Sequence, residues 1–98
     1  MSIQFPVSFE WDTAKARANR SKQGVGFAEA ATVFDDPRSL TQEDRDAIGE
    51  QRFVTLGMSN AGQLLVVVYI YRGSRTIRLI LAWKANSRER LRNAEGNR

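Results

Sequence analysis

The order of hydrophobic and polar residues predicts two helices in the first third of the chain. Asp12 is a favourable helix N-cap, helix-forming Ala, Lys and Arg residues follow it, and Gly24 provides a C-terminal stop, which predicts a helix over about 13–23. Aromatic and alanine side chains then recur at helical spacing over about 27–34, and the Asp-Asp-Pro sequence at 35–37 ends that run. Alanine is the only apolar residue type in the first helix, so we expect this helix to lie on the surface with a basic face.

After residue 51 the hydrophobic period changes from helical to two. Strands are predicted over Arg52 to Met58, Leu64 to Tyr71 and Arg75 to Trp83, joined by short turns rich in Gly, Ser and Asn. The middle strand is apolar on both faces, which is typical of a central strand. In the third strand, simple alternation places Arg78 and Lys84 on the same face of the sheet.

Asn86 and Glu89 have the spacing of a capping box. This pattern predicts a short basic helix from Ser87 to about Ala94.

Two further segments are less regular. Residues 3–9 are extended but interrupted by Pro6, which predicts an edge strand or an arm. Residues 38–50 are polar and acidic, which predicts an exposed loop or a loop with one short strand. The predicted fold is therefore α+β, with two N-terminal helices, a three- to four-stranded antiparallel sheet and a short C-terminal helix in a single domain over 1–98.

The composition removes the side chains that many enzymes use for proton transfer and metal binding. The 98 residues include no Cys and no His, which excludes a disulfide framework, a cysteine nucleophile, a Ser-His-Asp triad and a thiolate or imidazole metal site. We therefore predict no cofactor. The longest apolar stretch is too short to span a bilayer and the N-terminus has no signal-peptide pattern, so we expect a cytoplasmic protein without membrane association.

The formal net charge of +4 conceals a segregation along the chain. Residues 25–50 carry seven acidic and two basic side chains, whereas residues 51–98 carry nine basic and two acidic ones. Twelve of the fifteen basic residues are arginine, which suits bidentate contacts with phosphate or carboxylate. This distribution fits a solvated surface with ion pairs, and it equally fits a face that binds a polyanion such as nucleic acid.

Several stretches, in order and spacing, resemble the BrnT toxins along nearly the whole chain. The stretches that carry the resemblance include Phe9-Glu10-Trp11-Asp12, Lys15 and Asn19, Ala30 to Pro37, Glu50 to Phe53, Arg72, Arg78, Lys84-Ala85 and Arg88-Glu89-Arg90. The resemblance implies a RelE-like fold and a toxin of a bacterial type II toxin–antitoxin pair that cleaves RNA. It also implies a hetero-oligomer with a BrnA-like, DNA-binding antitoxin that represses the operon.

The chain departs from the family pattern at four positions. Gln23 stands where the family pattern has His, and Asn93 stands where a tyrosine often follows the Glu-Arg pair. Leu81 and Trp83 stand where the closing strand of the family has Ser and Arg. These differences support a second interpretation, in which a catalytically weakened toxin-fold protein acts as the antitoxin's partner in DNA-bound repression.

RNA cleavage without a metal needs a base for the 2′-hydroxyl, positive charge around the phosphorane, and an acid for the leaving oxygen. Arg52, Arg72 and Arg78 are the candidates for charge stabilisation on predicted strands. Glu89 is the candidate base, and Lys84 or Lys22 is the candidate acid. We also expect phosphate contacts from Arg88 and Arg90 of the last helix.

Each of these residues also has a purely structural interpretation. Glu89 can serve only as a helix cap, and Arg78 can pair with an acid such as Glu50. Lys22 can complement the dipole of the first helix. The arginines of the last helix can be solvated, and Trp83 can belong to the core instead of stacking on a base.

Overall fold

The computed structural model describes residues 8–96, which form a sheet with helices on both faces. In chain order the elements are β1 (Ser8–Glu10), α1 (Thr13–Gln23), α2 (Phe27–Ala31) continued by a 3₁₀ turn (Thr32–Asp35), β2 (Leu40–Asp44), β3 (Arg52–Met58), β4 (Leu64–Arg72), β5 (Thr76–Lys84) and α3 (Ser87–Gly96). The predicted α+β class is confirmed. Residues 3–7 of the predicted N-terminal extended piece lie outside the described residues.

Within residues 8–96 the sheet has five strands in the order β1-β5-β4-β3-β2 and is mixed. The prediction of three to four antiparallel strands is therefore wrong in both number and direction. β2 to β5 pair antiparallel, but β1 runs parallel to β5, with Phe9 opposite Ile77. The short strand that the prediction for residues 38–50 left open is present as β2, which tolerates polar residues because it is an edge strand with one side open to solvent.

Both ends of α1 have the caps that its sequence predicts. The Asp12 side chain accepts hydrogen bonds from the backbone N–H groups of Ala14 and Lys15, at 2.8 and 3.1 Å. These bonds, led by the one from Lys15, lower the pKa of the Asp12 carboxyl because they stabilise its ionised form. Gly24 ends the helix in the left-handed conformation, with φ of 73°.

The larger core cluster lies between the sheet and the α1–α2 layer. The buried members come from residues 25–33 and from β4 and β5: Val25, Phe27, Ala30, Val33, Leu65, Val67, Tyr69, Ile77, Leu79 and Ala82. Burying such side chains removes apolar surface from water and is the main driving force for this packing. The face of the sheet that these residues occupy is called the core face below.

The opposite face of the sheet carries α3 and a smaller apolar cluster. Its buried members are Leu56, Leu64, Val66 and Ala85, with Trp83 packed against them. The capping box predicted for α3 is confirmed, since the Asn86 side chain accepts from the Glu89 N–H at 2.8 Å and the Glu89 side chain accepts from the Asn86 N–H at 2.7 Å. This face is called the α3 face. None of the helices within residues 8–96 is long and apolar enough to cross a membrane.

A β-bulge in β5 changes which residues share a face. Val68 pairs with Leu81, but the next residue of β4, Tyr69, pairs with Leu79, so Ile80 is an extra residue in β5. Before the bulge the odd-numbered residues of β5 point to the core face, and after it the even-numbered residues do. The prediction that Arg78 and Lys84 share a face is therefore wrong.

Candidate active site

Three arginines lie on the α3 face, at the end of the sheet where β4 finishes and β5 begins. Arg78 of β5 is the register partner of Ile70 of β4, and Arg72 follows Ile70 by two residues on the same face. Arg52 begins β3 and alternates onto this face as well. Neighbouring strands are about 4.8 Å apart, so the backbones of Arg52 and Arg78 are separated by about 10 Å across β4. Arg52, Arg72 and Arg78 are called the arginine cluster below.

A carboxylate from β1 reaches two members of the arginine cluster. The parallel register places Glu10 opposite Arg78. One oxygen of Glu10, Oε2, accepts a hydrogen bond from the Arg78 guanidinium at 2.9 Å and lies 4.0 Å from Nε of Arg72. The sequence reasoning did not single out Glu10 as a site residue, and the only signal was its place in the Phe9-Glu10-Trp11-Asp12 stretch.

A second carboxylate contacts the cluster more loosely. The Glu50 carboxylate lies 3.7 Å from the Arg72 guanidinium, and its side chain is 62% exposed. Arg78 pairs with an acid, as expected, but this acid is Glu10 and not Glu50. Glu50 instead pairs with Arg72. Such half-exposed pairs contribute little to stability, so the cluster is not explained as a stabilising feature of the fold.

The arginine cluster is open to solvent. The Arg78 side chain is 32% exposed and that of Arg72 is 50% exposed. Arg52 has Asp44 of β2 as its register partner, and within residues 8–96 no salt bridge to Arg52 is found. The cluster therefore presents accessible guanidinium groups, which suit the bidentate binding of phosphate oxygens.

The two candidate lysines lie away from the cluster. Lys84 is the register partner of Leu65, so it belongs to the core face at the far end of β5, about 20 Å along the strand from Arg78. Lys22 is exposed in the last turn of α1, which packs on the core face. Neither lysine is brought together with the arginine cluster, and the position of Lys22 fits the complement to the helix dipole.

Glu89 is held by hydrogen bonds at the start of α3. Its carboxylate caps the backbone N–H of Asn86 and also accepts from the indole N–H of Trp83, at 3.3 Å to Oε2. Trp83 is paired with Val66 and Arg78 with Ile70, so the backbones of Trp83 and Arg78 are about 13 Å apart along the sheet. The structure therefore supports the cap interpretation of Glu89 and does not bring it to the cluster.

Two other predicted contacts lie on α3. Arg88 and Arg90 are exposed, and α3 lies over the same face of the sheet as the arginine cluster. The helix is tied to β2 by a hydrogen bond from Arg92 to the Gln42 side chain at 3.2 Å. These arginines extend the positive charge of the α3 face beyond the cluster.

A buried asparagine, which the sequence reasoning quoted only as part of the resemblance, fixes α1 to the sheet. The Asn19 amide donates to the carbonyls of Val25 and Ala82, both at 3.0 Å, and accepts from the Ala82 N–H at 3.1 Å. β1 pairs only with residues 76–78 of β5, so the later part of β5 has no strand on that side within residues 8–96. The Asn19 side chain satisfies backbone groups that a neighbouring strand would otherwise bind.

A chain of three hydroxyl groups crosses from the core to the surface. The Tyr69 hydroxyl is hydrogen-bonded to Thr55 at 2.9 Å, and Thr55 to the exposed Thr41 at 2.7 Å. Burial raises the pKa of Tyr69 because the phenolate would lose its hydration. These hydroxyls lie on the core face, so they do not belong to the arginine cluster.

Within residues 8–96 no group of His, Cys, Asp or Glu side chains is arranged to hold a metal ion. What the site offers chemically is a set of guanidinium groups beside a carboxylate.

Comparison with known protein families identifies the chain. The family model described as the ribonuclease toxin BrnT of type II toxin–antitoxin systems matches residues 11–89. The chain belongs to the BrnT family. Among solved structures it is similar to the ribonuclease toxin BrnT of Brucella abortus, with a TM-score of 0.62 and 19% sequence identity over 83% of this chain and 99% of that one. At this identity the similarity shows a shared fold. The comparison with curated proteins gives no match.

Membership of the BrnT family assigns the chain a toxin function and implies an antitoxin partner. The structure adds where the departures from the family pattern lie. Leu81 and Trp83 share the α3 face with Arg78 because of the bulge, and Leu81 is 43% exposed. Asn93 is half-buried in α3, whereas Gln23 is exposed at the end of α1 on the other side of the sheet. Two of the four departures therefore alter the face that carries the arginine cluster.

Proposed function

We propose that this protein is a metal-independent endoribonuclease that cuts mRNA and arrests growth, with its phosphate-binding site at the arginine cluster. The observation that carries the proposal is the gathering of Arg52, Arg72 and Arg78 on one exposed face. Guanidinium groups held on a rigid sheet stabilise the extra negative charge of a phosphorane without reorganising during the reaction. In this proposal Arg88 and Arg90 guide the RNA backbone toward the cluster.

The proposal revises the roles predicted from the sequence. Lys84 and Lys22 are not used as acids, because they lie on the other side of the sheet or at its far end. Glu89 is not used as the base, because its carboxylate caps α3 and binds the indole of Trp83. Protonation of the leaving oxygen is assigned to water, since arginine is a poor proton donor near neutral pH.

The biological setting of the proposal follows the family. We assign the protein to the cytoplasm as a single RelE-like domain that forms a hetero-oligomer with a BrnA-like, DNA-binding antitoxin. The type II family membership supports this assignment. Binding of the antitoxin would neutralise cleavage.

The test is cleavage of single-stranded RNA by the purified protein, with and without EDTA. We expect cleavage that EDTA does not remove, and a loss on the order of 10²- to 10³-fold in Arg52→Ala and Arg78→Ala. Arg38→Ala is the matched control, because it removes the same charge from an exposed position near the opposite end of β2. Unchanged cleavage in both cluster variants would refute the site.

A second function is favoured by Leu81 and Trp83, which put apolar side chains on the face of the arginine cluster. In this alternative the protein is catalytically weakened and acts as the antitoxin's partner in DNA-bound repression of the operon. Induced expression in a bacterial host, with and without the neighbouring gene, separates the two functions. Growth arrest with new RNA 5′ ends supports the nuclease, whereas antitoxin binding with neither effect supports the repressor partner.

A further inference from the structure

A carboxylate, Glu10, lies beside two members of the arginine cluster. Glu10 Oε2 lies 2.9 Å from the Arg78 guanidinium and 4.0 Å from Nε of Arg72. A carboxylate has about four acceptor sites, so the bond to Arg78 leaves acceptor capacity on Glu10. Its side chain is 41% exposed, which leaves it accessible to a ligand bound at the cluster.

Among the described residues, the other carboxylates near this face are less suitable. Glu50 contacts only Arg72, at 3.7 Å, from a side chain that is 62% exposed. Asp44 lies in the edge strand as the register partner of Arg52. Glu89 is engaged by the cap of α3 and by the indole of Trp83, whose backbone lies about 13 Å along the sheet from that of Arg78.

We propose that Glu10 is the general base of the reaction, which rests on the proposed ribonuclease function. A phosphodiester bound by Arg72 and Arg78 brings its neighbouring 2′-hydroxyl to the carboxylate that accepts a hydrogen bond from Arg78 and lies 4.0 Å from Nε of Arg72. Glu10 takes the proton of the 2′-hydroxyl, the O2′–P bond forms and the P–O5′ bond breaks. O5′ takes a proton from water, which leaves a 2′,3′-cyclic phosphate and a 5′-hydroxyl, and Glu10 returns its proton to solvent.

The position of Glu10 follows from the fold and not from local sequence. It lies one residue before the range that the family model matches. It reaches Arg78 only because β1 pairs in parallel with the start of β5. Glu10 and Arg78 are 68 residues apart in the chain, and their ion pair is part-buried, with 41% and 32% of the two side chains exposed. A partly exposed ion pair contributes little to stability, which leaves room for a chemical role of the carboxylate.

The experiment compares Glu10→Gln with Glu50→Gln, since both remove a carboxylate that contacts Arg72. Cleavage of a single-stranded RNA oligonucleotide is measured as a function of pH. Binding of the same oligonucleotide with a 2′-deoxy nucleotide at the cleavage site is measured by fluorescence anisotropy. Among residues 8–96, Glu10 forms salt-bridge contacts with Arg78 on β5 and Arg72 on β4, Glu50 before β3 contacts Arg72, and Asp12 also interacts with the charge of Arg78. Glu50→Gln therefore also controls for the change in local charge.

We expect Glu10→Gln to lower kcat on the order of 10²-fold or more and to bind the 2′-deoxy oligonucleotide at least as tightly as the unaltered protein. kcat/KM of the unaltered protein should fall toward low pH, and this fall should disappear in Glu10→Gln. Glu50→Gln should keep that fall and cleave within about threefold of the unaltered protein.

The outcomes separate the inference from the function on which it rests. Cleavage by Glu10→Gln at the unaltered rate overturns the role of Glu10 and leaves the ribonuclease standing. Loss of binding together with cleavage, in a variant that melts normally, also overturns it, because Glu10 would then only orient the arginines. Absence of cleavage by the unaltered protein overturns both.

Discussion

Replacing Asn19 by Ala should be among the most damaging single changes outside the apolar core. The Asn19 side chain makes three hydrogen bonds to backbone groups of Val25 and Ala82, and both of those residues are fully buried. Alanine would leave these groups without partners, and each buried unpaired polar group costs about 1–3 kcal/mol. Alanine is the better helix former by about 0.6 kcal/mol, which offsets a small part of that cost. Three such groups at the lower end of this range cost about 3 kcal/mol, so after the offset we expect a net loss of about 2 kcal/mol or more in the free energy of unfolding.

Urea unfolding followed by circular dichroism measures this loss. A loss of about 2 kcal/mol corresponds to a fall in Tm of about 8–16 °C for a domain of this size. Ser21→Ala, at an exposed position of the same helix, is the control and should stay within about 0.5 kcal/mol. Asn19→Asp keeps the shape but places negative charge against two carbonyl oxygens, so it should be at least as destabilised as Asn19→Ala. If Asn19→Ala lowered the free energy of unfolding by less than about 1 kcal/mol, water or a strand would be able to bind the backbone groups that the Asn19 amide binds.

Three other changes test the core, a close approach and the α3 face. Tyr69→Phe removes the hydroxyl bonded to Thr55 and should cost about 1 kcal/mol in urea unfolding. Burial raises the pKa of Tyr69, so the stability that its protonated hydroxyl contributes is complete below about pH 10 and is lost as pH rises toward the folded-state pKa. An equal loss of stability at alkaline pH in the Phe variant would contradict this. Gly57→Ala would place a Cβ 3.2 Å from a carbonyl oxygen of the 3₁₀ turn and should cost about 1–3 kcal/mol by thermal melting. Leu81→Ser combined with Trp83→Arg restores the family pattern and should raise RNA cleavage about tenfold, with folding checked by circular dichroism; no gain would show that these two positions do not limit the reaction.

Local signals in the sequence predicted most helices and the three central strands. The caps at Asp12 and Gly24 gave the bounds of α1 correctly, and Asn86 with Glu89 gave the start of α3. These signals work because caps act within one helical turn, so that neighbouring residues contain all the information needed. The second helix was predicted in the right place, but its last turn is 3₁₀ and not α.

Features that depend on distant residues were not predicted. The parallel pairing of β1 with β5 joins segments almost 70 residues apart, and nothing in the three residues Ser8–Glu10 indicates it. The contact of Glu10 with Arg78 was therefore not predicted. The strand positions of Arg52 and Arg78 were predicted, whereas Arg72 was placed just after the predicted end of β4. The assignment of Lys84 to the face of Arg78 was wrong because β5 has a bulge at Ile80. Ile80 and Leu81 are both apolar, so the alternation of polar and apolar residues gives no sign of this bulge.

The bulge at Ile80 also bears on how this family can diverge. Ile77 and Leu79 before the bulge and Ala82 after it point to the core face, whereas Arg78 and Leu81 point to the α3 face. Selection for a stable interior and selection for surface chemistry therefore act on separate positions of one strand. A lineage can gain or lose polar groups beside Arg78 by single substitutions and inherit the interior unchanged.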